Sequence, residues 1–563
     1  MRRIAAIIVC ISMMILSGCN GAKSVVEIDY KQNTTGVWDI KESPLNGAPL
    51  IEDKSVYAAD NDGEVTEIYL TVREGKDKKL KPVYTFDKLN AYTGEGEEPY
   101  CEVIFQEGKD GQGPSIGMFA YGEDTVNGRL ELKGDFSDLG LRSYQIKLYD
   151  RAGLWNGVRV INLYKNQSDL SRMKNKLGFD ALEKLENIAG LRTKFIHLYI
   201  KDLTGGKRGA FKDYGLYTYI EQPNKMYLSS RGFDEDGNLY KAKNFDFSRN
   251  EDKILNVDDE NYSKEKFEGV LTIRESKDHK KLIEMLDMVN DYNTHIDEVI
   301  RGYFNEENLL TFAAVNILFG NFKGMYDNYL LYSPENSNTW YIFPSDFKGI
   351  FKELTGGGDN LPDDIFVGLP MLYDNVLFRR FFSIPQNIEK LNNKVTEIHK
   401  IINGDFVKKQ TDIYKKGVLP ILYSMPDLVS LPKAAEYVER YIKEFPDILE
   451  NNYKRFKENL QNPIPPYITT CEYVDGGISL KWQESNDNVT YRVEIANDPD
   501  YNSIIYFKDN ITENSSFFEH IYYGIYYIRV KAIAPDGREQ VCANIYKDNF
   551  GDRYYGTVML IVG

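Results

Sequence analysis

Gly128-Arg129-Leu130-Glu131-Leu132-Lys133 alternates apolar and charged side chains, and Tyr144-Gln145-Ile146-Lys147-Leu148 repeats the pattern. Successive side chains of a strand point to opposite faces, so this period of two predicts two β-strands, each with one buried and one polar face. Outward from this pair the same signal recurs. Ile68, Leu70 and Val72 share one strand face, and Glu102-Val103-Ile104-Phe105 reads as a further strand. Asp-Gly and Gly-Gln-Gly clusters supply turn chemistry between them. Residues Phe195 to Ile200 and Gly215 to Ile220 predict a hairpin around Gly205-Gly206, and Leu239-Tyr240-Lys241 a short strand. One helix is expected here, capped by Ser168-Asp169 and running through Leu170, Met173 and Leu177 to about Leu185.

From about Ser263 the spacing becomes helical, over Lys281–Val289, Ile296–Phe304, Glu306–Phe319 and 376–460, with Pro420, Pro426 and Pro432 as breaks. The class is therefore α+β, with a β-rich lobe at 61–255 and a helical lobe at 256–460. Asn462-Pro463-Ile464-Pro465-Pro466 makes 461–466 a stiff linker. Beyond it, Ile478, Leu480 and Trp482 alternate, as do Tyr491, Val493 and Ile495, then Tyr526, Ile528, Val530 and Ala532. Residues 467–563 thus read as an all-β sandwich of the immunoglobulin type, and the early Trp with Tyr526 to Ala532 resembles a fibronectin type III module.

The 563 residues are 42% hydrophobic and 27% charged, an ordinary globular balance that excludes global disorder. A formal net charge of −16 argues against a nucleic-acid partner. Arg2 and Arg3 precede an apolar run from Ile4 to Leu16, a secretory signal too short for a membrane span of about 20 residues. Leu16-Ser17-Gly18-Cys19 resembles a bacterial lipobox. That resemblance implies cleavage after residue 18, a diacylglyceryl thioether on Cys19 and a protein anchored to the extracytoplasmic face of the cell membrane. Loss of residues 1–18 removes Arg2 and Arg3 and turns −16 into −18. Residues 19–60 are a polar spacer. Cys471 and Cys542 fall in one domain and are either a disulfide or two buried thiols. The five His residues (197, 279, 295, 399, 520) show no metal-ligand spacing.

Five ordered stretches resemble the spore coat protein CotH family, whose fold is an atypical protein-kinase-like domain of two lobes. They are Gly128 to Ser137 with Arg142 to Leu148; Trp155 to Leu163 with Asp169 to Leu177; Gly215 to Glu221; Gly237 to Ala242; and Gly320 to Tyr332 with Trp340 to Asp346. The resemblance implies ATP as the nucleotide, Mg²⁺ as its cation, and a protein substrate phosphorylated on Ser or Thr at the cell surface or spore coat. Phosphoryl transfer needs cations to neutralise phosphate charge. Lys147 is the expected phosphate-binding lysine, with Lys241 second, and Glu221 is a carboxylate that could hold that lysine or a metal. Asn328 and Asp346 stand at the positions expected to ligate Mg²⁺ and carry catalysis.

Several residues depart from the family pattern. Lys323 stands where an Asp is expected, Ser345 where Trp is expected, and Lys348 and Lys352 where polar or small residues are expected. A lysine neither ligates a metal nor accepts a substrate proton at its ordinary pKa. Asp327 is a weak alternative for the missing carboxylate, because strand alternation would point it away from Asn328. Two functions are therefore expected: a lipid-anchored, ATP-dependent protein kinase, or a catalytically degenerate relative that acts as a binding or assembly factor.

Overall fold

The computed structural model describes residues 47–58, 63–76, 81–134, 142–352, 367–431, 435–485, 488–548 and 553–563. The signal segment and Cys19 lie outside them. The described residues fall into two compact units, divided between Ile464 and Pro465.

The larger unit begins with a barrel. Its strands are β1 (Val65–Arg73), β2 (Cys101–Gly108), β3 (Gly128–Lys133), β4 (Ser143–Leu148) and β5 (Val160–Tyr164), followed after helix α1 (Lys174–Leu182) by β6 (Thr193–Asp202) and β7 (Lys212–Glu221). They close in the order β1-β2-β3-β4-β5-β7-β6. Neighbours are antiparallel except β1 and β6, which close the barrel in parallel. The alternation in the sequence fills the interior: Leu70, Phe105, Leu130, Ile146, Ile161 and Leu198 belong to one buried cluster. The charged residues between them are left on the outer wall.

Helix α1 starts at Lys174, later than the expected cap at Ser168-Asp169. The Asp169 carboxylate instead accepts from Ser171 N at 3.0 Å and Lys174 N at 2.9 Å. A short polar side chain offers the backbone a turn in place of the first helical bonds.

The chain changes sheet between β7 and β8 (Asn238–Ala242), earlier than the boundary expected at residue 256. Strand β8 pairs with β9 (Leu271–Glu275) and with β10 (Tyr329–Ser333), and β10 pairs with β11 (Tyr341–Pro344), in the order β9-β8-β10-β11. Helices α2 (Lys280–Asn290), α3 (Ile296–Tyr303) and α4 (Glu306–Phe319) lie between β9 and β10 in the chain, and α5 (Pro385–His399), α6 (Gly404–Leu422) and α7 (Ala435–Asn459) follow β11. Helix α4 is buried nearly throughout. Asn305 caps its start by accepting from Asn308 N at 2.8 Å, and Gly320 ends it in the left-handed region at φ 62°. Pro420 lies in the last turn of α6, so the break falls after it.

Residues 47–58 run across both parts of this unit. Asn305 Nδ2 donates to Gly47 O at 2.9 Å and Tyr341 OH to Ala48 O at 2.8 Å. Farther along, Asp53 N donates to Arg231 O at 3.0 Å and Tyr57 OH to Gly190 O at 3.2 Å.

The smaller unit holds β12 (Tyr467–Val474), β13 (Gly477–Gln483), β14 (Thr490–Ala496), β15 (Ile504–Ile511), β16 (Ser515–Phe518), β17 (Gly524–Ile533), β18 (Glu539–Val541) and β19 (Val558–Val562). One sheet runs β12-β13-β16 and the other β15-β14-β17-β18, with β19 also on β17. Leu480, Trp482, Val493, Ile528 and Val530 join both sheets in one core. Cys471 and Cys542 are buried there as free thiols. Among the described residues no helix is long and apolar enough to cross a membrane.

Candidate functional site

The outer wall of β3, β4, β5 and β7 faces a cavity of about 580 Å³. Lys133, Gln145, Lys147, Asn162, Tyr164 and Ile220 line it from these strands, at the positions that alternate with the barrel core. The opposite side is formed by Lys241 of β8, Arg274 of β9 and the turn Ser345-Asp346-Lys348 that leaves β11. Cross-strand register sets Arg129 opposite Lys147 and Glu131 opposite Gln145. A polar ladder follows: Gln145 Nε2 donates to Asn162 Oδ1 at 2.7 Å, and Asn162 Nδ2 to Gln222 Oε1 at 3.0 Å.

Four residues singled out from the sequence, Lys147, Glu221, Lys241 and Asp346, line this one cavity. Their partners differ from those expected. Lys147 Nζ lies 2.7 Å from Glu131 Oε2, and Arg129 Nε holds the other oxygen at 2.7 Å. Glu131, rather than Glu221, is therefore the partner of the barrel lysine. Glu221 is already saturated: Arg192 Nε lies at 2.9 Å, Arg192 Nη2 at 2.5 Å and Arg192 N at 3.1 Å, with Arg231 Nη2 at 2.7 Å. Burial pushes the Glu221 carboxyl up, but the Arg231 and Arg192 guanidiniums outweigh it and hold the group below the usual carboxylate range.

Asp346 lies in a tight turn. Its carboxylate accepts from Lys348 N at 2.8 Å and pairs with Lys348 Nζ at 3.1 Å. The next residue is fixed from behind by α1: Phe347 N donates to Asn175 Oδ1 at 2.6 Å, and Phe347 lies against Gly178. A Cβ on Gly178 would stand 2.2 Å from Phe347 Cγ, so only glycine admits this approach.

Asn328 is buried and does not line the cavity. Its carbonyl accepts from Ser345 N at 2.9 Å, which sets it beside the Asp346 turn through the backbone. Lys323 is exposed on a short 3-10 turn, and its carbonyl accepts from Asp327 N and Asn328 N. Strand β10 begins only at Tyr329, so strand alternation does not govern Asp327. Its charge acts on Lys241 and Lys348, the same lysines that Asp346 acts on. Among the described residues no group of three or more His, Cys, Asp or Glu could hold a metal ion.

Sequence reasoning assigned no site role to Glu131, Lys133 or Arg274. Lys133 and Arg274, together with Lys241, hold no ion pair among the described residues, and Arg274 Nε is buried without a hydrogen-bond partner. Burial, reinforced by Arg274, Lys241 and Lys147, pushes the Lys133 ammonium down to about 8. Burial also lowers Lys241, with Asp346 opposing and Arg274 and Lys348 reinforcing. Crowded, half-buried like charges of this kind make a standing demand for an anion. The alternation of residues 128–133 already placed Arg129, Glu131 and Lys133 on one face. Arg274 left no such signal, because β9 is only five residues long.

A family model described as CotH kinase protein matches residues 130–447, more than half of the chain and including every cavity residue named above. No curated protein matches the chain.

Proposed function

The chain belongs to the CotH kinase protein family, and on that premise we propose that its cavity binds a nucleoside polyphosphate, ATP in the first instance, with phosphotransfer weak or lost. The observation that carries this reading is the convergence of Lys133, Lys241 and Arg274, without ion-pair partners among the described residues, in one cavity. Triphosphate oxygens are the ligand class that neutralises such a group, through charge-assisted hydrogen bonds. Leu191, Ile220 and Pro223 give the same cavity an apolar wall for a base. Catalysis needs more than anion binding. The Asp346 carboxylate is engaged by Lys348, Lys323 is exposed, and Asn328 lies off the cavity.

Mg²⁺ would meet Asp346 with the Lys348 ammonium already upon it. The residues therefore fit the nucleotide better than they fit a protein-held metal. The second reading, a protein kinase acting on Ser or Thr of surface or spore coat proteins, draws on the family membership and on the place of Asp346 in the cavity lining.

In either case we place the protein at the extracytoplasmic face of the membrane, held by a lipid on Cys19, with the fibronectin type III-like unit as a spacer or adhesion module. Calorimetric titration of the full-length chain in detergent micelles with ATP tests the binding reading. Binding that weakens about tenfold or more in Lys241→Ala or Arg274→Ala is expected. Absence of binding to the unsubstituted chain refutes it. Transfer of labelled phosphate to protein, lost in Asp346→Asn, would establish the kinase instead.

A further inference from the structure

We infer that the cavity takes its polyphosphate without a divalent cation, the Lys348 ammonium doing the bridging that a metal would otherwise do; the inference rests on the nucleotide reading above. A metal in a phosphoryl site has one geometric task before any chemistry: it joins a protein carboxylate to phosphate oxygens that would otherwise repel it. Lys348 is built for the same task. Its Nζ sits 3.1 Å from Asp346 Oδ2, its backbone N–H holds Asp346 Oδ1 at 2.8 Å, and its side chain lines the cavity while remaining 48% exposed. An ammonium has three donors, so one bound to Asp346 leaves two for phosphate oxygens.

The charge of the surroundings agrees. The cavity is lined by Lys133, Lys147, Lys241, Arg274 and Lys348 against Glu98, Glu131, Glu221 and Asp346. Glu131 also carries Arg129, and Glu221 carries Arg192 and Arg231. Glu131 and Glu221 are thus neutralised from outside the lining, which leaves Lys133, Lys241 and Arg274 without ion-pair partners among the described residues. A triphosphate with no metal bound carries roughly four negative charges. A divalent ion would have to displace the Lys348 ammonium to reach the Asp346 carboxylate.

The test is titration of the full-length chain in detergent micelles with ATP, once in excess EDTA and once in excess Mg²⁺. The unsubstituted chain should bind with affinities that differ by less than about threefold between the two conditions. Lys348→Ala should lose about tenfold in EDTA and recover most of it in Mg²⁺, because vacating Asp346 creates the metal position. Lys348→Arg should retain metal-free binding. Binding by the unsubstituted chain that weakens tenfold or more in EDTA overturns this inference and leaves the nucleotide reading standing. So does a Lys348→Ala protein that binds in EDTA as the unsubstituted chain does. Failure to bind ATP in both conditions removes the nucleotide reading and this inference with it.

Discussion

Replacing Glu221 by Gln separates a structural role for this carboxylate from a ligand-holding one. The substitution preserves volume and removes one charge from between two guanidiniums. Arg231 is the sensitive partner, with a fully buried side chain whose remaining charged contact is Glu52 at 3.0 Å. The new amide can accept from one arginine but turns N–H groups toward the other. Breaking a buried pair by removing one member costs about 3–5 kcal/mol, because the charge left behind is uncompensated. A unit of roughly 400 residues unfolds with an entropy near 0.8 kcal/mol/K, so its melting temperature should fall by about 4–6 °C at pH 7. Differential scanning calorimetry resolves such a shift. The pH dependence supplies an internal control. A carboxyl held below its ordinary value of 4.5 stabilises the fold above that pH and ceases to do so as pH falls through the lowered value. The penalty of Glu221→Gln should therefore be full at pH 7 and shrink below about pH 4. A melting temperature within 1 °C of the unsubstituted protein at pH 7, together with a lost affinity for ATP, would refute this reasoning and return Glu221 to the ligand.

Lys133 gives a second prediction. With its ammonium pushed down to about 8, it loses its proton as pH rises from 7 to 9, so ATP affinity should fall over that interval, and Lys133→Arg should flatten the profile. The sign for stability is the reverse: the cost of burying the charge is present below about 8 and is relieved above it, which unfolding at pH 9 against pH 7 in the absence of nucleotide would show. Gly178→Ala drives a methyl into the Phe347 ring and should cost about 1–3 kcal/mol, with ATP affinity reduced because Phe347 adjoins Asp346. Cys19→Ala should move the protein from the detergent phase to the aqueous phase on phase separation, and unchanged partitioning would rule out the lipid anchor.

The strands of the barrel were legible, though not its closure, because period-two alternation encodes a strand and its two faces at once, and residues 128–133 and 144–148 carry that code undisturbed. The same alternation marked the charged outer wall, while the lysine on β4 came from the family resemblance. Partners were not legible. Glu221 meets Arg192 and Arg231 through folding that brings β6 and the segment after β7 together, and local pattern cannot announce that. The short strand β9 was hidden inside a region of helical character, and Arg274 was hidden with it. Asp327 was judged by a strand rule that applies only from Tyr329 onward. The start of α1 was displaced because Asp169 satisfies nearby amides in a turn, a competition that spacing of apolar residues does not reveal.

The parallel closure of β1 against β6 also bears on how this protein can be produced in pieces. The span that matches the family model starts at residue 130, beyond both β1 and β2. A fragment cut to that span would leave β3 and β6 with unpaired edges and the apolar lining of the barrel open to water. Exposed edges of this sort recruit other chains and aggregate. Recombinant boundaries drawn from family likeness alone would thus yield inclusion bodies, whereas one beginning ahead of Gly47 retains every hydrogen-bonded neighbour described here.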